Sequence, residues 1–333
     1  MRLDLINFLS CPNCRATELM KYVGPPHKNG RVVSGSLQCT SCGADFPIIN
    51  GIPRFVKPEE DYCGNFGYQW QEWGSIQIDH LSAHKLSHDR FLADTRWEPD
   101  WLNGKLILDA GCGAGRFSDI AGELGARVIA IDISTAIDTC RATTARHDDR
   151  ANGGVDCIQA SLFDLPLRRD IFDAIYCMGV IQHTPHPTAL MTGLPTFLKP
   201  GAQLFLNFYE EGVWRRLQII KYSLRLVTPF LPINVTWALS KILVTLLFPL
   251  TAAIARIPKI KILNHIIPIA AVHNQLLTLE QQRTWTLLDT FDWYGARFEK
   301  RQYHTDVAKI LADSGMVRIS TEPGLAWCHK PTN

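Results

Sequence analysis

Short apolar runs alternate with amphipathic stretches along the chain from Lys105 onward. The apolar runs predict buried strands over 106–110, 127–132, 155–160, 172–178 and 202–208. The stretches between them predict helices over 115–126, 135–147 and 187–197. Further on, a helix over 306–314 precedes two β-rich runs at 317–321 and 325–329. Because strands and helices alternate in this way in doubly wound parallel sheets, we expect an α/β fold with helices on both faces.

The stretch from Gly212 to Leu279 interrupts this alternation. It contains no Asp or Glu and carries eight Lys and Arg residues, which leaves a formal −6 on the rest of a chain whose net charge is +2. One strongly apolar uncharged run, 242–255, has 14 residues and contains Pro249. A bilayer span needs roughly 20 residues, and proline interrupts helices. We therefore predict an apolar insertion of short helices and no membrane span.

This insertion has three interpretations at this stage. Its helices line a pocket for a lipophilic acceptor, with the charged side chains reaching water at the helix ends. Alternatively, its basic apolar surface lies on an anionic leaflet, which would make the protein peripheral at the inner membrane face. The plainest interpretation is packing against the core. The first two both predict an apolar, lipid-like substrate.

The first predicted strand ends in an acid followed by three glycines at alternate positions, Asp109-Ala110-Gly111-Cys112-Gly113-Ala114-Gly115. Glycines tolerate positive φ and present bare backbone amides to a ligand, and the following helix adds a partial positive charge. Asp132 ends the second strand, where a carboxylate can accept both ribose hydroxyls of an adenosine. A nicotinamide site would have the spacing G-x-G-x-x-G, whereas the spacing here is D-x-G-x-G-x-G.

The D-x-G-x-G-x-G pattern resembles the class I S-adenosylmethionine-dependent methyltransferases, of the type 11-like group. This resemblance implies a Rossmann-like sheet of seven strands, closed by an antiparallel hairpin, and S-adenosyl-L-methionine as cofactor. It implies the cofactor-binding residues Asp109, Gly111, Cys112, Gly113, Gly115, Asp132, Ile133, Ser161, Leu162 and Met178. The family usually has an acid at the place of Ser161, so its hydroxyl would accept the adenine amine more weakly. A nicotinamide enzyme or a non-catalytic Rossmann domain is the alternative.

The segment after the fourth strand, 178–185, resembles the "gvlhH" segment of the same family. It lies at the carboxyl edge of the sheet, where open α/β folds bind ligands. Methyl transfer to an oxygen or nitrogen requires removal of a proton, which a histidine does well near neutral pH. His183 is therefore a candidate catalytic residue. The alternative is a histidine that only holds the loop.

Other segments extend this resemblance. Tyr209 after the fifth strand, and Tyr303 or His304 near the end of the chain, are further candidate catalytic residues. The segment 289–298 resembles one that accompanies the acceptor side of the pocket in related methyltransferases. The segment 65–70, "NFGYQW", opens an aromatic-rich lead-in that folds over the cofactor in relatives. The alternative for the lead-in is a helical layer packed on the sheet.

Two C-x-x-C knuckles lie near the start of the chain, with 24 residues between them: Cys11, Cys14, Cys39 and Cys42. Four thiolates at this spacing predict a closed tetrahedral site for structural Zn²⁺, with a disulfide pair or a redox dithiol as alternatives. A segment of about 55 residues buries little core, so a metal would supply folding energy. Together with 46–55, the knuckles resemble the small zinc-ribbon proteins that activate methyltransferases. The resemblance implies a scaffold role for the ribbon.

Length and composition set the remaining expectations. A chain of 333 residues with 46% hydrophobic and 20% charged residues predicts about two folded domains. We place a zinc ribbon at 1–57, the helical lead-in at 58–104, and a methyltransferase domain with its insertion, 212–279, at 105–333. No signal peptide is visible, and six cysteines are scattered singly, which predicts a cytoplasmic protein. Those six are Cys63, Cys112, Cys140, Cys157, Cys177 and Cys328.

The expected function is methyl transfer to a small or lipid-like acceptor, with oxygen, nitrogen and carbon acceptors all open. One alternative is a non-catalytic protein that binds the cofactor or activates another methyltransferase. A third possibility is RNA methylation, as the relatives of the ribbon suggest. The net charge of +2 and the lack of an N-P-P-[FY] tetrapeptide after the fourth strand make a nucleic-acid partner unfavourable.

Overall fold

The computed structural model describes residues 1–16, 20–26, 30–56, 67, 69–70, 74–148, 150, 153–212, 215 and 217–332. Two sheets organise these residues: an antiparallel sheet of four strands near the start of the chain, and a mixed sheet of seven strands that makes up the rest. Much of the lead-in, including Phe66, Tyr68 and Cys63, lies outside the described residues.

The large sheet confirms the predicted doubly wound α/β fold. Its strands are β5 (Leu106–Ala110), β6 (Arg127–Asp132), β7 (Gly154–Gln159), β8 (Phe172–Cys177), β9 (Leu198–Asn207), β10 (Val317–Glu322) and β11 (Leu325–His329). Their order across the sheet is β10-β11-β9-β8-β5-β6-β7. The five strands β5 to β9 are parallel, and β11 runs antiparallel to β9 and to β10, which is the predicted closing hairpin.

Helices cover both faces of this sheet. The α-helices are α1 (Asp79–Ser82), α2 (Leu86–Thr95), α3 (Pro99–Leu102), α4 (Arg116–Glu123), α5 (Ala136–Thr144), α6 (Pro187–Gly193), α7 (Ile219–Leu224), α8 (Ile233–Ala255), α9 (Leu279–Gly295) and α10 (His304–Asp313). Short 3₁₀ helices span Leu3–Phe8, Gly74–Gln77, Ala145–His147, Ile181–His183, Leu194–Phe197, Thr228–Phe230 and Lys261–His265. The strands between the helical layers are almost entirely buried, as the continuous apolar runs predicted.

The small sheet belongs to the ribbon and packs on one edge of the large sheet. Its strands are β1 (Met20–Val23), β2 (Gly35–Cys39), β3 (Asp45–Ile49) and β4 (Ile52–Pro53). Just after β4, the amide of Phe55 donates to the carbonyl of Gln159 at 2.8 Å, so the ribbon covers the edge strand β7. Leu5 and Leu37 of the ribbon share one core cluster with Ile129 of β6. The ribbon is therefore seated on its own chain.

The insertion differs from the prediction at Pro249. We expected the proline to break the helix, but α8 continues through it for 23 residues, so that expectation is wrong. A proline inside a helix costs about 3 kcal/mol or more, because it removes one hydrogen bond and crowds the preceding turn. Val244 and Phe248, one turn apart on the same side, pack with Ile269 in a small core. Thr251, after the proline, is buried too, so the helix is anchored to the fold on both sides of Pro249.

The helix α8 is also long and apolar enough to cross a membrane, with a mean hydropathy of 1.9 over its best window. Length and composition alone do not distinguish such a span from a surface or core helix. Five of its side chains form a buried stripe, Thr236, Ser240, Val244, Phe248 and Thr251. The helix is thus attached to the rest of the fold along its length.

A buried ionic cluster ties the start of the insertion to the chain after α9. The carboxylate of Glu299 lies 3.0 Å from Nζ of Lys221 and 3.1 Å from Nε of Arg301, and it accepts the hydroxyl of Tyr222 at 2.5 Å. Although burial opposes ionisation, the positive charges of Lys221 and Arg225 lower the pKa of Glu299 to about 2. The carboxylate is therefore ionised and holds several buried cations together.

We expect Glu299→Gln to lower the free energy of unfolding at pH 7 by about 3–5 kcal/mol, because it leaves Lys221 and its neighbours charged and buried without a counter-ion. The pKa of Glu299 is about 2 in the folded chain and 4.5 ordinarily, so its stabilising effect is present above pH 4.5 and declines as the pH falls towards 2. Urea unfolding at several pH values measures both effects.

The matched control for that variant is Glu322→Gln, since Glu322 forms an exposed pair with Arg96. An exposed pair contributes at most about 1 kcal/mol. If both variants lost the same small amount of unfolding free energy, the ionic cluster around Glu299 would not be what attaches the insertion.

Candidate cofactor and acceptor site

One cavity of about 1080 Å³ lies at the carboxyl ends of β5, β6 and β8. The glycine turn after β5, the lead-in, the loop after β8 and the insertion all contribute to its wall. Small-molecule sites typically occupy about 300–1,000 Å³, so this cavity has room for a nucleoside cofactor together with an acceptor. Its position agrees with the rule that open α/β sheets bind ligands beyond the carboxyl ends of their strands.

The turn after β5 requires glycine at its first and last glycine positions. Gly111 has φ +94°, and a Cβ there would lie 2.4 Å from Cγ2 of Val180. Gly115 has φ +85°, and its Cβ would lie 2.9 Å from Sγ of Cys140. Side chains are therefore excluded from the turn both by conformation and by space. Gly111 lines the cavity, whereas Gly115 caps α4 and lies outside the cavity wall.

Asp109 is a buried acid beneath this turn. Its Oδ2 accepts the hydroxyls of Ser118 at 2.6 Å and Tyr176 at 2.9 Å. Burial raises the pKa of Asp109 to about 7, and the nearby charge of Asp132 adds to the effect. With both hydroxyls donating to it, Asp109 connects β5 with α4 and β8, and so it shapes the turn.

Asp132 lines the cavity at the end of β6, but most of its acceptor capacity is already used. Its Oδ1 accepts the amide and the hydroxyl of Ser134 at 2.8 and 2.7 Å, and its Oδ2 accepts the amide of Gly113 at 2.9 Å. A carboxylate has about four acceptor positions, so about one remains for a ligand. A two-hydroxyl contact with a ribose would need the Ser134 hydroxyl to turn away.

Apolar side chains form the wall beside Asp132. Cys112, Ile133, Leu162 and Met178 all line the cavity, as does Gly113. Ser161 is not among the lining residues, and its hydroxyl accepts the amide of Phe163 at 3.2 Å within the local turn. The predicted adenine contact of the Ser161 hydroxyl is thus not formed by the wall, which presents Leu162 instead.

Described residues of the lead-in lie both in the cavity wall and in the core. Gln69, Trp70, Gln77 and Arg90 line the cavity, whereas Phe91, further along α2, packs in the core. The described residues of the lead-in therefore contribute to the cavity wall and to a helical layer, and a fold over the cofactor stays a prediction.

A basic and an acidic side chain both contact Gln77 of the lead-in. Its Oε1 accepts from Arg116 at 3.2 Å, and its Nε2 donates to Asp289 at 3.5 Å. Burial lowers the pKa of Arg116 to about 9. Burial, together with the charge of Asp292, raises the pKa of Asp289 to about 7. This part of the cavity thus presents a guanidinium and a carboxyl group a short way from the glycine turn.

His183, Tyr209 and Asp292 come together on the opposite side of the cavity. Nδ1 of His183 lies 3.0 Å from the carbonyl of Phe298, which can only accept, so Nδ1 carries a proton and Nε2 is the basic nitrogen. Nε2 lies 3.7 Å from Oδ2 of Asp292, and the Tyr209 hydroxyl donates to the same oxygen at 3.3 Å. The rings of His183 and Tyr209 meet edge to face at 5.5 Å.

Several side chains of the cavity wall have buried polar atoms without a hydrogen-bond partner among the described residues. They include both amide atoms of Gln182, Oε1 of Gln218 and Oδ1 of Asp292, and all three side chains line the cavity. Buried polar groups in proteins are nearly always paired, so unpaired ones in a cavity wall indicate places for polar ligand atoms. Apolar side chains such as Ile269 and Leu288 line the cavity as well, and so do the polar side chains of Asn264 and His273.

His304 and Tyr303 lie elsewhere, which corrects two of the catalytic candidates. Nδ1 of His304 lies 2.9 Å from Oε1 of Glu210 at the start of α10, outside the residues that line the cavity. Tyr303 is exposed and also outside the wall. The turn that leads into α10 brings His304 next to Glu210. This contact holds the imidazole outside the cavity wall.

The four knuckle cysteines form a separate cluster in the ribbon. The Sγ atoms of Cys11, Cys14, Cys39 and Cys42 all lie within 4.8 Å of one another. The Cys11–Cys42 and Cys14–Cys39 pairs are 3.7 and 3.6 Å apart, and tetrahedral Zn–S bonds of about 2.3 Å separate sulfurs by about 3.8 Å. The backbone amide of Cys42 contributes most to lowering the pKa of Cys39 to about 7. The four thiols thus fit a closed zinc site, and no disulfide joins them.

Comparison with known proteins agrees with both halves of this description. Residues 108–206 match the family described as a methyltransferase domain, and residues 2–51 match the Trm112p-like proteins. The chain carries a methyltransferase domain behind a Trm112p-like domain. The methyltransferase match spans β5 to β9, so it includes the glycine turn, Asp132 and His183 of the cavity wall.

Two curated relatives and one solved structure illustrate the similarity. The mitochondrial ubiquinone biosynthesis O-methyltransferase of Schizosaccharomyces pombe is 29% identical over 51% of this chain and 62% of its own length. The ubiquinone biosynthesis O-methyltransferase of Xanthomonas oryzae pv. oryzae strain PXO99A is 38% identical over 32% of this chain and 44% of its own. The chain therefore spans about half the length of these relatives.

The solved structure is that of magnesium protoporphyrin IX methyltransferase from Synechocystis PCC 6803 with bound SAH. It matches at a TM-score of 0.45 and 17% identity, over 81% of this chain and 97% of that one.

Several residues of the cavity wall were not identified from the sequence. Asp292 lay inside the segment 289–298 that we placed on the acceptor side, but nothing in its spacing pairs it with His183. Gln182 directly precedes His183, but it belongs to no sequence motif that marks a glutamine side chain as functional. Arg116 directly follows the last glycine. Its place on the first turn of α4 was the one sequence feature that could have marked it as a ligand-binding residue.

Proposed function

We propose that this methyltransferase domain transfers a methyl group from S-adenosyl-L-methionine to a hydroxyl oxygen of a lipid-like acceptor. The observation that carries the proposal is that one cavity joins the glycine turn and Asp132 to the group formed by His183, Tyr209 and Asp292. A cofactor on the first side and an acceptor on the second would meet without crossing solvent. The cofactor supplies a methyl group already activated on a sulfonium sulfur.

The cofactor side offers a matching group for each part of that molecule. Ile133, Leu162 and Met178 provide an apolar slot for the adenine, next to Asp132 for the ribose. The amino-acid tail carries a carboxylate and an ammonium. Arg116 and Asp289 are suitable partners for them, and both line the same cavity.

On the acceptor side, we assign His183 as general base. As the new O–CH₃ bond forms and the S–CH₃ bond breaks, the hydroxyl proton moves to Nε2, and the sulfur leaves as a neutral thioether. The imidazolium that results is stabilised by Asp292, whose Oδ2 lies 3.7 Å away. Tyr209 donates to the same oxygen and so keeps Asp292 in place.

A lipid-like acceptor with a polar head fits the rest of the wall. Gln182, which precedes His183, and Gln218 offer unpaired polar atoms in the cavity wall, while Ile269, Leu288 and Trp285 supply apolar surface in the same wall. The curated relatives are described as ubiquinone biosynthesis O-methyltransferases, which favours an oxygen acceptor on an apolar molecule. The buried free thiols outside the knuckles accord with a reducing, cytoplasmic setting.

Calorimetry with S-adenosylhomocysteine tests the cofactor half. We expect the wild-type chain to bind it and Asp132→Ala to weaken binding about 10- to 150-fold, the cost of losing hydrogen bonds to a charged group. Asp89→Ala, at an exposed acid outside the cavity, is the matched control. Circular dichroism shows whether each variant is folded. A folded wild-type chain without affinity for this nucleoside contradicts the proposal.

Methyl transfer is tested with a labelled cofactor and fractionated cell extract. Label in the lipid fraction supports the proposal. Label in RNA would favour nucleic-acid methylation, and label in no fraction, with cofactor bound, would favour a non-catalytic or activating partner.

A further inference from the structure

The long helix α8 leaves much of its apolar surface exposed, while three of the five residues in its buried stripe carry hydroxyls. Its buried stripe includes the hydroxyl residues Thr236, Ser240 and Thr251, and each hydroxyl donates to a nearby backbone carbonyl. Its exposed stripe contains large apolar residues, among them Ile242 at 56% and Leu246 at 69% exposure. Surface helices normally turn their apolar side to the core. The outer side of α8 therefore lacks the apolar partner that its composition calls for.

Exposed apolar side chains are also frequent in the rest of the insertion. Of the 24 large hydrophobic residues exposed in the described part of the chain, 17 lie between 217 and 279, and Phe230 reaches 81% exposure. Soluble proteins rarely expose contiguous apolar patches of more than a few hundred Å² unless something binds there. We call this surface the apolar face, meaning the exposed apolar side chains of 217–279.

The charged side chains beside the apolar face indicate which kind of partner can bind there. Lys241, Arg256, Lys259 and Lys261 are exposed, and no acid occurs between Gly212 and Leu279. Cations at the border of an apolar surface match the anionic headgroups and the acyl region of a lipid leaflet. A symmetric pair of chains would instead bring two acid-free, positively charged faces against each other.

The cavity opens onto the same face. Lys261 and Ile262, in the 3₁₀ helix that follows α8, are exposed and also line the cavity, as does the exposed His265. Ala255, the last residue of α8, lines it as well. A molecule that entered between these residues would reach Gln218 and His183 from the apolar face.

We infer that the apolar face docks on an anionic lipid bilayer and that the acceptor enters the cavity directly from the leaflet, past Ile262. The docking surface is a property of the insertion by itself, whereas the acceptor route rests on the proposed function. The helix α8 lies in the plane of the leaflet, because its buried stripe packs against the fold and crossing the bilayer would detach it. Substrates of this site are then membrane-resident molecules.

Vesicle flotation tests the docking without cofactor or acceptor. We expect the whole chain to float with vesicles of phosphatidylcholine and phosphatidylglycerol at 7:3 and to stay largely unbound with phosphatidylcholine alone. Binding should weaken as salt is raised, because the surface charges are screened. Equal binding to both vesicle types, or no binding by folded chain, overturns the proposal.

Variants separate the apolar and charged contributions. Ile242→Gln with Leu246→Gln should lower vesicle affinity about tenfold or more, whereas Val33→Gln with Leu81→Gln, exposed elsewhere, should not change it. Lys241→Gln with Lys259→Gln should lower it about 25-fold, since each charge near the leaflet is worth about fivefold. Lys85→Gln with Lys309→Gln is the control for charge. If neither the Ile242 and Leu246 double variant nor the Lys241 and Lys259 double variant changed vesicle affinity, the surface assigned to docking would be wrong.

Hydrogen exchange locates the contact. We expect amides of 256–266 to become more protected when anionic vesicles are added, with those of α2 unchanged. Unchanged exchange at 256–266 would remove the entry route. A dimer in sedimentation that dissociates on Leu246→Gln would instead make the face an interface between copies. Calorimetry with S-adenosylhomocysteine on the same samples reports the cofactor site separately, so loss of docking leaves the proposed function standing.

Discussion

His183→Ala is expected to lower kcat for methyl transfer by about 10²–10⁴-fold, the range that positioned general bases contribute. The reason is the geometry of the ring: the carbonyl of Phe298 holds Nδ1 at 3.0 Å, which leaves Nε2 as the proton acceptor beside Asp292. The affinity for S-adenosylhomocysteine should stay close to that of the wild type, since His183 lies on the acceptor side. Steady-state kinetics on the acceptor found in extract, together with calorimetry, measure both quantities.

Two further variants make that result specific. Asp292→Asn keeps the shape of the side chain but removes the charge that stabilises the imidazolium, so kcat should fall while KM changes little. His88→Ala, a histidine of α2 outside the cavity wall, is the matched control. A kcat unchanged in His183→Ala, with cofactor bound, would mean that the histidine only holds the loop to Phe298.

Removal of the ribbon's metal is expected to have the second large effect. Structural zinc contributes about 10–16 kcal/mol in zinc-finger peptides, and a segment this small has little core to replace it. Because Leu5 and Leu37 share a core cluster with Ile129 of the large sheet, unfolding of the ribbon would also uncover the edge at β7. We expect Cys39→Ala to abolish stoichiometric zinc, lower the Tm, and increase hydrogen exchange in both β2 and β7.

Cys328→Ala, at a buried thiol far from the knuckles, controls for loss of a cysteine as such. It should keep its zinc and most of its stability. A wild-type chain that purifies without metal, and whose Tm does not respond to a chelator, would contradict a structural zinc site.

Local patterns were sufficient for much of the fold. The apolar runs lie on strands within one or two residues of their predicted ends for β5 to β8, because buried parallel strands need continuous hydrophobic sequence. The strand β9 begins four residues earlier than predicted, at Leu198, because Leu198 pairs with Phe172 of β8; the register then shifts before pairing resumes at Gln203. The local sequence predicted a loop there, but pairing with β8 places the start of the strand at Leu198.

The candidate site divides in the same way. The glycine turn and Asp132 were predictable, since a strand, a tight turn and a helix close in sequence specify them together. The pairing of His183 with Asp292 and Phe298 was not, because 115 positions separate His183 from Phe298 and no short-range pattern joins them. His304 was a reasonable candidate by residue type, and only the contact with Glu210 places it elsewhere.

Residue order alone therefore determined what depends on neighbours in the chain: the strand and helix alternation, the glycine turn, the paired knuckles and the acid-free composition of 212–279. Tertiary structure decided what depends on burial. It kept α8 continuous through Pro249 and turned the hydroxyl side of that helix inward. It also gathered the acceptor side from three distant segments. Burial is a property of the whole packed chain, and so it sets which of several permitted local arrangements has the lowest free energy.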